Sequence, residues 1–299
     1  MTVANHERRG TALLDWYEKH RRHLPWRAAG DPWPVLISEV MLQQTQALRV
    51  IPFYERFLAA FPTPGNLAVA PVAVVLALWS GLGYNRRAVR LHEAARRIVR
   101  EGWPSNAVGL QDLPGIGPYT AAAVACFAFG EQLPTIETNV RRVVSRWHGR
   151  PLRGGALIEA ARRELPPGRA ADWNQGVMDL GAAICRPTGP SCLACPVAAW
   201  CAGPATYVAP PGQGRYRGSN REARGVVIRT LVDNGPATMV QLATVTDLSV
   251  ARLGRALEGL VAEGMIEPAD AGVYKLAGSE AARKLARRAF PSTVRMLSG

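Results

Sequence analysis

The sequence predicts an all-α protein followed by a small C-terminal domain of a different kind. Between residues 13 and about 202, apolar residues recur at helical spacing in segments separated by proline and glycine, without an alternating strand pattern. After Cys201 the composition changes to a stretch rich in proline and glycine, including Pro210-Pro211-Gly212-Gln213-Gly214. Such a stretch is typical of a linker, so we expect a domain boundary there.

The helices of the first part follow from this spacing. One begins at Leu13, and another covers about 36–60 with a kink expected at Pro52, because proline inside a helix removes a hydrogen bond. Pro118 suits the first position of a helix. The remaining helices are expected at about 72–79, 86–100, 119–129, 139–147, 157–163 and 173–184.

The C-terminal part is predicted to be winged-helix-like. Three helices and a hairpin are expected, at about 224–231, 240–246 and 250–263, with 265–267 pairing to 273–276. In the third helix Leu253, Leu257 and Leu260 form the buried stripe, which leaves Arg252, Arg255 and Glu258 outside. This is a modest set for reading bases, so we expect docking or backbone contact rather than recognition of a base sequence.

Charge and composition indicate a partner and a location. The net charge is +13 with an isoelectric point of about 10.3, which attracts polyanions and favours nucleic acid, although an arginine-rich genome would also raise it. No apolar run approaches the roughly 20 residues that span a bilayer, and the N-terminal segment lacks a secretory signal. We therefore expect no membrane partner and a location in the cytoplasm with the nucleoid. A monomer is expected, although nothing in the sequence determines the oligomeric state.

Four of the five cysteines are clustered in sequence. Cys185, Cys192, Cys195 and Cys201 have six, two and five residues between successive members. A cytosolic chain is not expected to form disulfides. Thiolates bind either zinc or an iron–sulfur cluster, and the spacing alone does not decide between these two kinds of site. Cys126, within an apolar run, is expected to be a small buried residue.

A glycine turn lies between two helical segments, in Leu113-Pro114-Gly115-Ile116-Gly117-Pro118-Tyr119-Thr120. Gly115 and Gly117 allow a tight turn that brings backbone amides close to a ligand, and the N–H groups of the following helix favour an anion. The pattern is typical of a helix-hairpin-helix that grips a DNA phosphate. A glycine turn alone can also be purely structural.

Several short segments occur in a fixed order over roughly two-thirds of the chain. They are Leu24-Pro25-Trp26-Arg27, Ser38-Glu39-Val40-Met41-Leu42-Gln43-Gln44-Thr45, Gly81-Leu82-Gly83-Tyr84, the glycine turn, Asn139-Val140-Arg141-Arg142-Val143, Asn174-Gln175, Met178-Asp179-Leu180-Gly181 and the cysteine loop. In this set and order the chain resembles the MutY-type adenine DNA glycosylases of the endonuclease III-like, helix-hairpin-helix superfamily.

The resemblance implies a domain plan. A glycosylase domain at 1–203 would consist of a six-helix subdomain at about 23–140 and a second subdomain, from 1–22 and 141–203, that holds a [4Fe-4S] cluster on the four cysteines. A linker at 204–221, a winged-helix-like domain at 222–280 and a tail at 281–299 would follow. Family members commonly carry a larger C-terminal domain, similar to nucleotide-diphosphate hydrolases, so discrimination of 8-oxoguanine from guanine is open.

The resemblance makes Glu39 the general acid that protonates adenine. Its apolar neighbours would raise its pKa by desolvation, as that role requires, whereas without the motif it would be a solvated glutamate. Glu137 stands where the family has an aspartate that stabilises the cationic sugar, with Tyr119 and Asn139 lining the site. The two carboxyl groups would face opposite ends of one extruded nucleoside.

Glu137 departs from the family pattern by one methylene. The longer side chain would move the carboxylate by roughly 1.5 Å if the backbone were unchanged. Misplacement by about 1 Å can cost on the order of 100-fold in rate. An acid at a helix N-terminus is also favoured by the helix dipole whatever its chemistry.

The remaining matched residues are expected to contact DNA. Those that wedge into the stack, or lie beside the oxidised guanine, are Gln44, Thr45, Leu82 and Tyr84. Those that surround or favour adenine are Arg27, Gln43 and Gln175. A wedge would offset the few kcal/mol that unstacking a base costs.

The reaction is expected to be hydrolysis without strand cleavage. Tyr119 stands where bifunctional relatives carry their Schiff-base lysine, and no lysine occurs between Lys19 and Lys275. The leading expectation is excision of adenine opposite 8-oxoguanine or guanine in double-stranded DNA. There are two alternatives. One is a thymine or uracil mismatch glycosylase on the same scaffold, and the other is a non-catalytic damage-binding protein.

Overall fold

The computed structural model describes residues 3–27, 30–206, 212 and 214–282, and this part of the chain is mostly helical. Its α-helices are α1 Val3–His20, α2 Pro32–Leu42, α3 Ala47–Ala60, α4 Pro64–Ala68, α5 Val72–Trp79, α6 Arg86–Glu101, α7 Ala107–Leu110, α8 Pro118–Phe129, α9 Thr138–Trp147, α10 Gly154–Arg163, α11 Ala170–Ala183, α12 Asn220–Asn234, α13 Met239–Thr246 and α14 Val250–Ala262. Its strands are β1 Ala237–Thr238, β2 Ile266–Ala269 and β3 Val273–Leu276. Part of the expected linker, at 207–211 and 213, and the tail from 283 lie outside the described residues.

The second expected helix, at about 36–60, is two helices, α2 and α3, so a single helix there was wrong. Pro52 lies inside α3, which continues past it to residue 60. The chain breaks at residues 43–46, where Gln44 adopts the left-handed conformation with φ of 57°. By contrast, Pro118 takes the first position of α8 and Cys126 is buried, as expected.

By their contacts the residues form two compact units. The first comprises the described residues up to Leu36, together with Pro104–Asp112 and Ile116–Gly212. Here α11 packs against α1 and α9, and α9 against α10. The core includes Trp147 and Trp173, whose rings meet edge to face at 6.2 Å between centroids.

The second unit comprises Ile37–Trp103, Leu113–Gly115 and the described residues after Gly212. Within it α6 packs against α4 and α5, while α12 packs against both α5 and α14. The three strands form an antiparallel sheet in the order β1-β3-β2. The C-terminal elements follow the winged-helix-like order that the sequence predicts, with β1 added, but they share one compact unit with Ile37–Trp103.

The C-terminal elements also bear out their expected buried face. Leu253, Leu257 and Leu260 are buried in α14, Arg255 and Glu258 are exposed, and Arg252 is half-buried in an ion pair with Glu222. Among the described residues, no helix combines the length and apolarity that crossing a membrane would require.

Candidate active site

Glu39 is a buried carboxyl group near the end of α2. Only 5% of its surface is exposed, and the adjacent Val40 and Met41 are buried as well. The apolar setting expected from the sequence is therefore present. Burial of a carboxyl group disfavours its charged form, which suits a side chain that must deliver a proton.

The turn that follows α2 carries the predicted wedge. Gln44 is exposed in the left-handed conformation, and Gln43 and Thr45 are half-buried. The backbone N–H of Thr45 donates to the carbonyl oxygen of Leu42 at 3.1 Å, and its hydroxyl donates to that of Gln43 at 3.3 Å. These bonds give the turn a defined shape next to Glu39.

A second loop of the same unit carries Leu82 and Tyr84. The indole N–H of Trp79 donates to the carbonyl oxygen of Gly83 at 3.0 Å, and Gly81, Gly83 and Tyr84 all have positive φ. Tyr84 is 37% exposed, whereas Leu82 is only 4% exposed. Of these two residues, Tyr84 is thus the one whose side chain can meet a ligand without rearrangement.

Arg87, at the start of α6, joins these two loops and was missed by the sequence analysis. One guanidinium nitrogen donates to three carbonyl oxygens, those of Val40 at 2.8 Å, Met41 at 2.8 Å and Gln43 at 2.6 Å. The other donates to the Gly83 carbonyl at 3.1 Å and the Thr45 hydroxyl at 3.3 Å. Burial lowers the pKa of Arg87 to about 10, which leaves it charged at neutral pH.

An Arg87→Lys variant is expected to be less stable by about 1–3 kcal/mol, because an ammonium keeps the charge but leaves some of these carbonyls without a donor. Urea denaturation would measure this loss. The matched control is Arg86→Lys, since Arg86 is the exposed neighbour on α6. Equal unfolding free energies for the two variants would show that the hydrogen bonds of Arg87 do not stabilise the contact between the two loops.

The glycine turn leads into α8 as the sequence predicts. Gly115 has φ of 79°, and an added Cβ would lie 2.6 Å from the Cβ of Arg90, so glycine is required here. Gly117 precedes the helix as its N-cap without a side-chain hydrogen bond, which leaves the terminal N–H groups suited to an anion. Tyr119 lies half-buried on the first turn of α8.

Glu137 is the N-cap of α9, with its carboxylate turned back onto the helix. One oxygen accepts from the backbone N–H of Val140 at 2.7 Å, and the other accepts from the side-chain amide of Asn139 at 3.1 Å. Asn139 in turn accepts from Arg142 at 2.6 Å. Burial raises the pKa of Glu137, although the hydrogen bonds from Asn139 and Val140 and the charge of Arg142 act in the opposite direction.

Arg142 extends this network to the cysteine loop. Its guanidinium donates to the carbonyl oxygens of Gly181 at 2.8 Å and Cys185 at 2.7 Å. Gly181 has to be a glycine, because an added Cβ would lie 2.6 Å from that of Asn139. The motif segments around 139 and 181 are therefore in direct contact.

Arg27 is held by a partner that the sequence analysis did not single out. Its two terminal nitrogens donate to the two oxygens of Asp179 at 2.7 and 2.9 Å, and Arg22 donates to the same carboxylate at 2.6 Å. Burial alone would raise the pKa of Asp179, but the hydrogen bonds and charges of Arg27 and Arg22 lower it, so this group is anionic. Nearby on α11, Gln175 accepts from the hydroxyl of Tyr17 at 2.5 Å.

The four clustered cysteines line one cavity of the first unit. Its empty volume is about 500 Å³, counting the part open to solvent, and Arg146 and Pro204 are among its other walls. Arg146 donates to the sulfur of Cys185 at 3.2 Å, and the backbone N–H of Gly203 donates to that of Cys201 at 3.4 Å. Burial raises the pKa of Cys195 to about 11. In the described part of the chain, no group of three or more His, Cys, Asp or Glu side chains is arranged to hold a single metal ion.

The predicted site residues thus fall into two groups. Glu39, the turn at 43–45 and the loop with Leu82 and Tyr84 belong to the second unit, where Arg87 connects them. Tyr119, Glu137 and Asn139, with Arg27, Gln175 and the cysteines, belong to the first. That Glu39 and Glu137 face one nucleoside stays a prediction.

Comparison with known proteins identifies the family. Residues 37–166 match the model of the HhH-GPD superfamily of base excision DNA repair proteins. The chain is 40% identical over 284 residues to the adenine DNA glycosylase of Mycobacterium tuberculosis strain H37Rv, covering 90% of this chain and 93% of that one. The enzyme of Mycolicibacterium smegmatis is 41% identical, covering 89% and 95%. The human adenine DNA glycosylase is 40% identical over 208 residues, covering 64% of this chain and 38% of the human one.

Solved structures agree on the fold. A thermostable thymine-DNA glycosylase superposes with a TM-score of 0.63 at 32% identity, covering 66% of this chain and 95% of that chain. Endonuclease III, trapped as a covalent intermediate with DNA, superposes with a TM-score of 0.58 at 20% identity, covering 67% and 96%. With relatives that match it over nearly its whole length, the chain belongs to the adenine DNA glycosylases of the HhH-GPD superfamily of base excision DNA repair proteins.

Proposed function

We infer that this protein is a DNA N-glycosylase of base excision repair that removes adenine. The observation that carries this conclusion is the likeness to adenine DNA glycosylases over nine-tenths of the chain. The expected alternatives, a thymine or uracil mismatch glycosylase and a non-catalytic damage-binding protein, are not favoured by these relatives. The net charge of +13 suits a protein whose partner is DNA.

The proposed chemistry divides the work between two carboxyl groups. Glu39 gives its proton to the adenine ring, so that the base leaves as a neutral molecule with the electrons of the broken bond to the sugar. Glu137, ionised and oriented by Asn139 and Val140, stabilises the cationic sugar until water adds to it and releases a proton. The burial of Glu39 and the fixed orientation of Glu137 support these roles.

We further propose that the target adenine is paired with 8-oxoguanine or guanine. In this proposal Gln44 and Thr45 enter the stack where the adenine leaves it, and Tyr84 lies beside the opposite base. The exposure of Gln44 and Tyr84 on loops joined by Arg87 supports it. The test is incubation of the protein with duplexes that carry A:8-oxoG, A:G, T:G or U:G, followed by heating in alkali. Cleavage confined to T:G or U:G would contradict both proposals.

The enzyme is expected to leave the abasic strand intact. Tyr119 cannot form an imine with the sugar, and no lysine occurs between Lys19 and Lys275, the range that contains all the motif segments. Borohydride should therefore trap no covalent adduct with DNA.

We propose that the cysteine cavity holds a [4Fe-4S] cluster. Four thiols line one cavity, and no three of them are placed to hold a single ion, which favours a cluster with one thiolate at each iron. The N–H donors on Cys185 and Cys201 would stabilise thiolate charge. The cluster's role would be structural or DNA-sensing, because the hydrolysis requires no electron.

Anaerobically purified protein is therefore expected to contain about four iron and four sulfide per chain and to absorb in the visible range. Cys192→Ser should lose this absorbance, whereas Cys126→Ala should keep it, because Cys126 is buried elsewhere in α8. Stoichiometric zinc without sulfide would contradict the proposal and favour the zinc alternative.

A further inference from the structure

A short segment before α12, residues 214–219, carries two exposed arginines, and we call it the arginine turn. The backbone N–H and the hydroxyl of Ser219 both donate to the carbonyl oxygen of Tyr216, at 3.1 and 2.6 Å, which closes a β-turn. Arg217 lies at the second position of this β-turn, and Arg215 lies just before it. Two positive charges therefore stand at or next to the tip of a closed turn on the protein surface.

The backbone of the arginine turn is fixed by two side chains of α12. Gly218 has φ of 79°, and its N–H donates to the carboxylate of Glu222 at 2.7 Å. Arg221 donates to the carbonyl oxygen of Gly214 at 2.8 Å. Arg217 thus projects from a backbone of defined shape, so little conformational entropy is lost when the turn binds a ligand.

The arginine turn lies beside the loop that carries Tyr84. The guanidinium of Arg221, which holds Gly214, also donates to the hydroxyl oxygen of Tyr84 at 2.7 Å. The backbone N–H of Ala73, in α5, donates to the carbonyl oxygen of Ala277 at 2.9 Å, and α12 packs against α5. All of these contacts lie within one compact unit, so the position of the arginine turn next to Tyr84 is fixed by packing.

The helix α14, which would enter the DNA groove in a winged helix, offers less positive charge. Arg252 is half-buried and donates to the carboxylate of Glu222 at 3.1 Å, through the same oxygen that accepts from Gly218. Arg252 therefore supports the arginine turn and offsets the negative charge of Glu222. Arg255 and Glu258 lie one helical turn apart and are both exposed, so their charges oppose each other.

We propose that the arginine turn binds the sugar-phosphate backbone of the DNA strand that carries the base opposite the excised adenine. The proposal rests on the proposed function, in which Tyr84 lies beside that base. Phosphate oxygens accept hydrogen bonds, and a guanidinium can donate two at once to a phosphate. Arg215 and Arg217 are exposed, and their side chains are not the groups that hold the turn, so both can reach a phosphate while the turn keeps its shape.

A contact of this kind has a distinctive salt dependence. Each phosphate that a protein neutralises releases counterions, so the logarithm of the affinity falls more steeply with the logarithm of the salt concentration, by about 0.9 in slope. A contact to the backbone carries no direct information about the base sequence. The arginine turn should therefore strengthen binding to A:8-oxoG, A:G and fully paired duplexes alike.

The test measures affinity for these duplexes over a range of salt concentrations, with an uncleavable abasic analogue in place of the mispaired adenine. The double variant Arg215→Ala/Arg217→Ala is expected to have a salt slope smaller by about 1.8, the value for two phosphates. Lysine at both positions should restore most of this slope, because an ammonium also binds phosphate as a point charge. The matched control is Arg255→Ala, which removes an exposed arginine from α14 and should leave the slope unchanged.

Neutral methylphosphonates identify the strand that is bound. Placed beside the base opposite the abasic analogue, they should weaken binding of wild type and leave the double variant unaffected, because both changes remove the same contact. If the double variant does not fold, Arg215→Gln and Arg217→Gln replace it, each with an expected decrease of about 0.9.

The outcome is independent of excision. A wild-type protein that excises no adenine would overturn the proposed function, yet its salt slope would still test the arginine turn. An unchanged slope in the double variant, or an equal decrease in Arg255→Ala, overturns the proposal. Methylphosphonates that weaken wild type and the double variant equally overturn it as well.

Discussion

Glu39→Gln is expected to lose adenine excision by about 10²–10⁴-fold, the contribution typical of a general acid. The amide has nearly the shape of the carboxyl group but no proton to give to the departing base. Because Glu39 is buried near the end of α2, the neutral amide should be accommodated without unfolding the helix. The measurement is the single-turnover rate on an A:8-oxoG duplex, together with the affinity for that duplex.

The loss should fall on the rate and leave the affinity nearly unchanged. Glu55→Gln is the matched control, since it makes the same exchange at an exposed position of α3 and should retain full activity. Excision by Glu39→Gln within a few-fold of wild type would remove Glu39 as the acid. A parallel loss of affinity and rate would instead indicate a role in holding DNA.

The sequence predicted the helices well where the signal is local. The apolar residues of α5 and the proline and glycine around α8 mark those helices without reference to the rest of the chain. It missed the break after α2, where the guanidinium of Arg87, from α6, donates to three backbone carbonyl groups. A contact between residues more than 40 positions apart leaves no periodic signal, so the break could not be read locally.

The candidate site was predictable as a set of residues but not as a set of contacts. Motif resemblance supplied Glu39 and Glu137, yet it did not reveal that Asp179 holds Arg27. Nor did it reveal that Arg221, from the C-terminal part, donates a hydrogen bond to Tyr84. These pairings depend on tertiary packing, which composition and spacing do not encode.

Glu137→Gln is expected to lose excision by about 10²–10³-fold, because the neutral amide cannot stabilise the cationic sugar. Glu137→Asp should retain much more activity than the glutamine variant. The structure gives the reason: the carboxylate folds back to accept from Val140 as the N-cap of α9, a bond that aspartate also makes readily. Because the side chain of Glu137 folds back in this way, its extra methylene should displace the carboxylate by less than the length of that methylene.

The pH dependence separates a catalytic carboxylate from a simple helix cap. Burial raises the pKa of Glu137, so the wild-type rate should fall, as pH decreases, at a higher pH than for an ordinary glutamate, and Glu137→Gln should lack this limb. The raised pKa of Glu137 affects the free energy of unfolding in the opposite direction. It stabilises the folded protein below the unfolded-state pKa, and this stabilisation is lost as pH rises through the folded-state pKa. At neutral pH the buried charge opposes folding, so Glu137→Gln should unfold at no lower temperature than wild type. A glutamine variant that is less stable but equally active would make Glu137 a cap and nothing more.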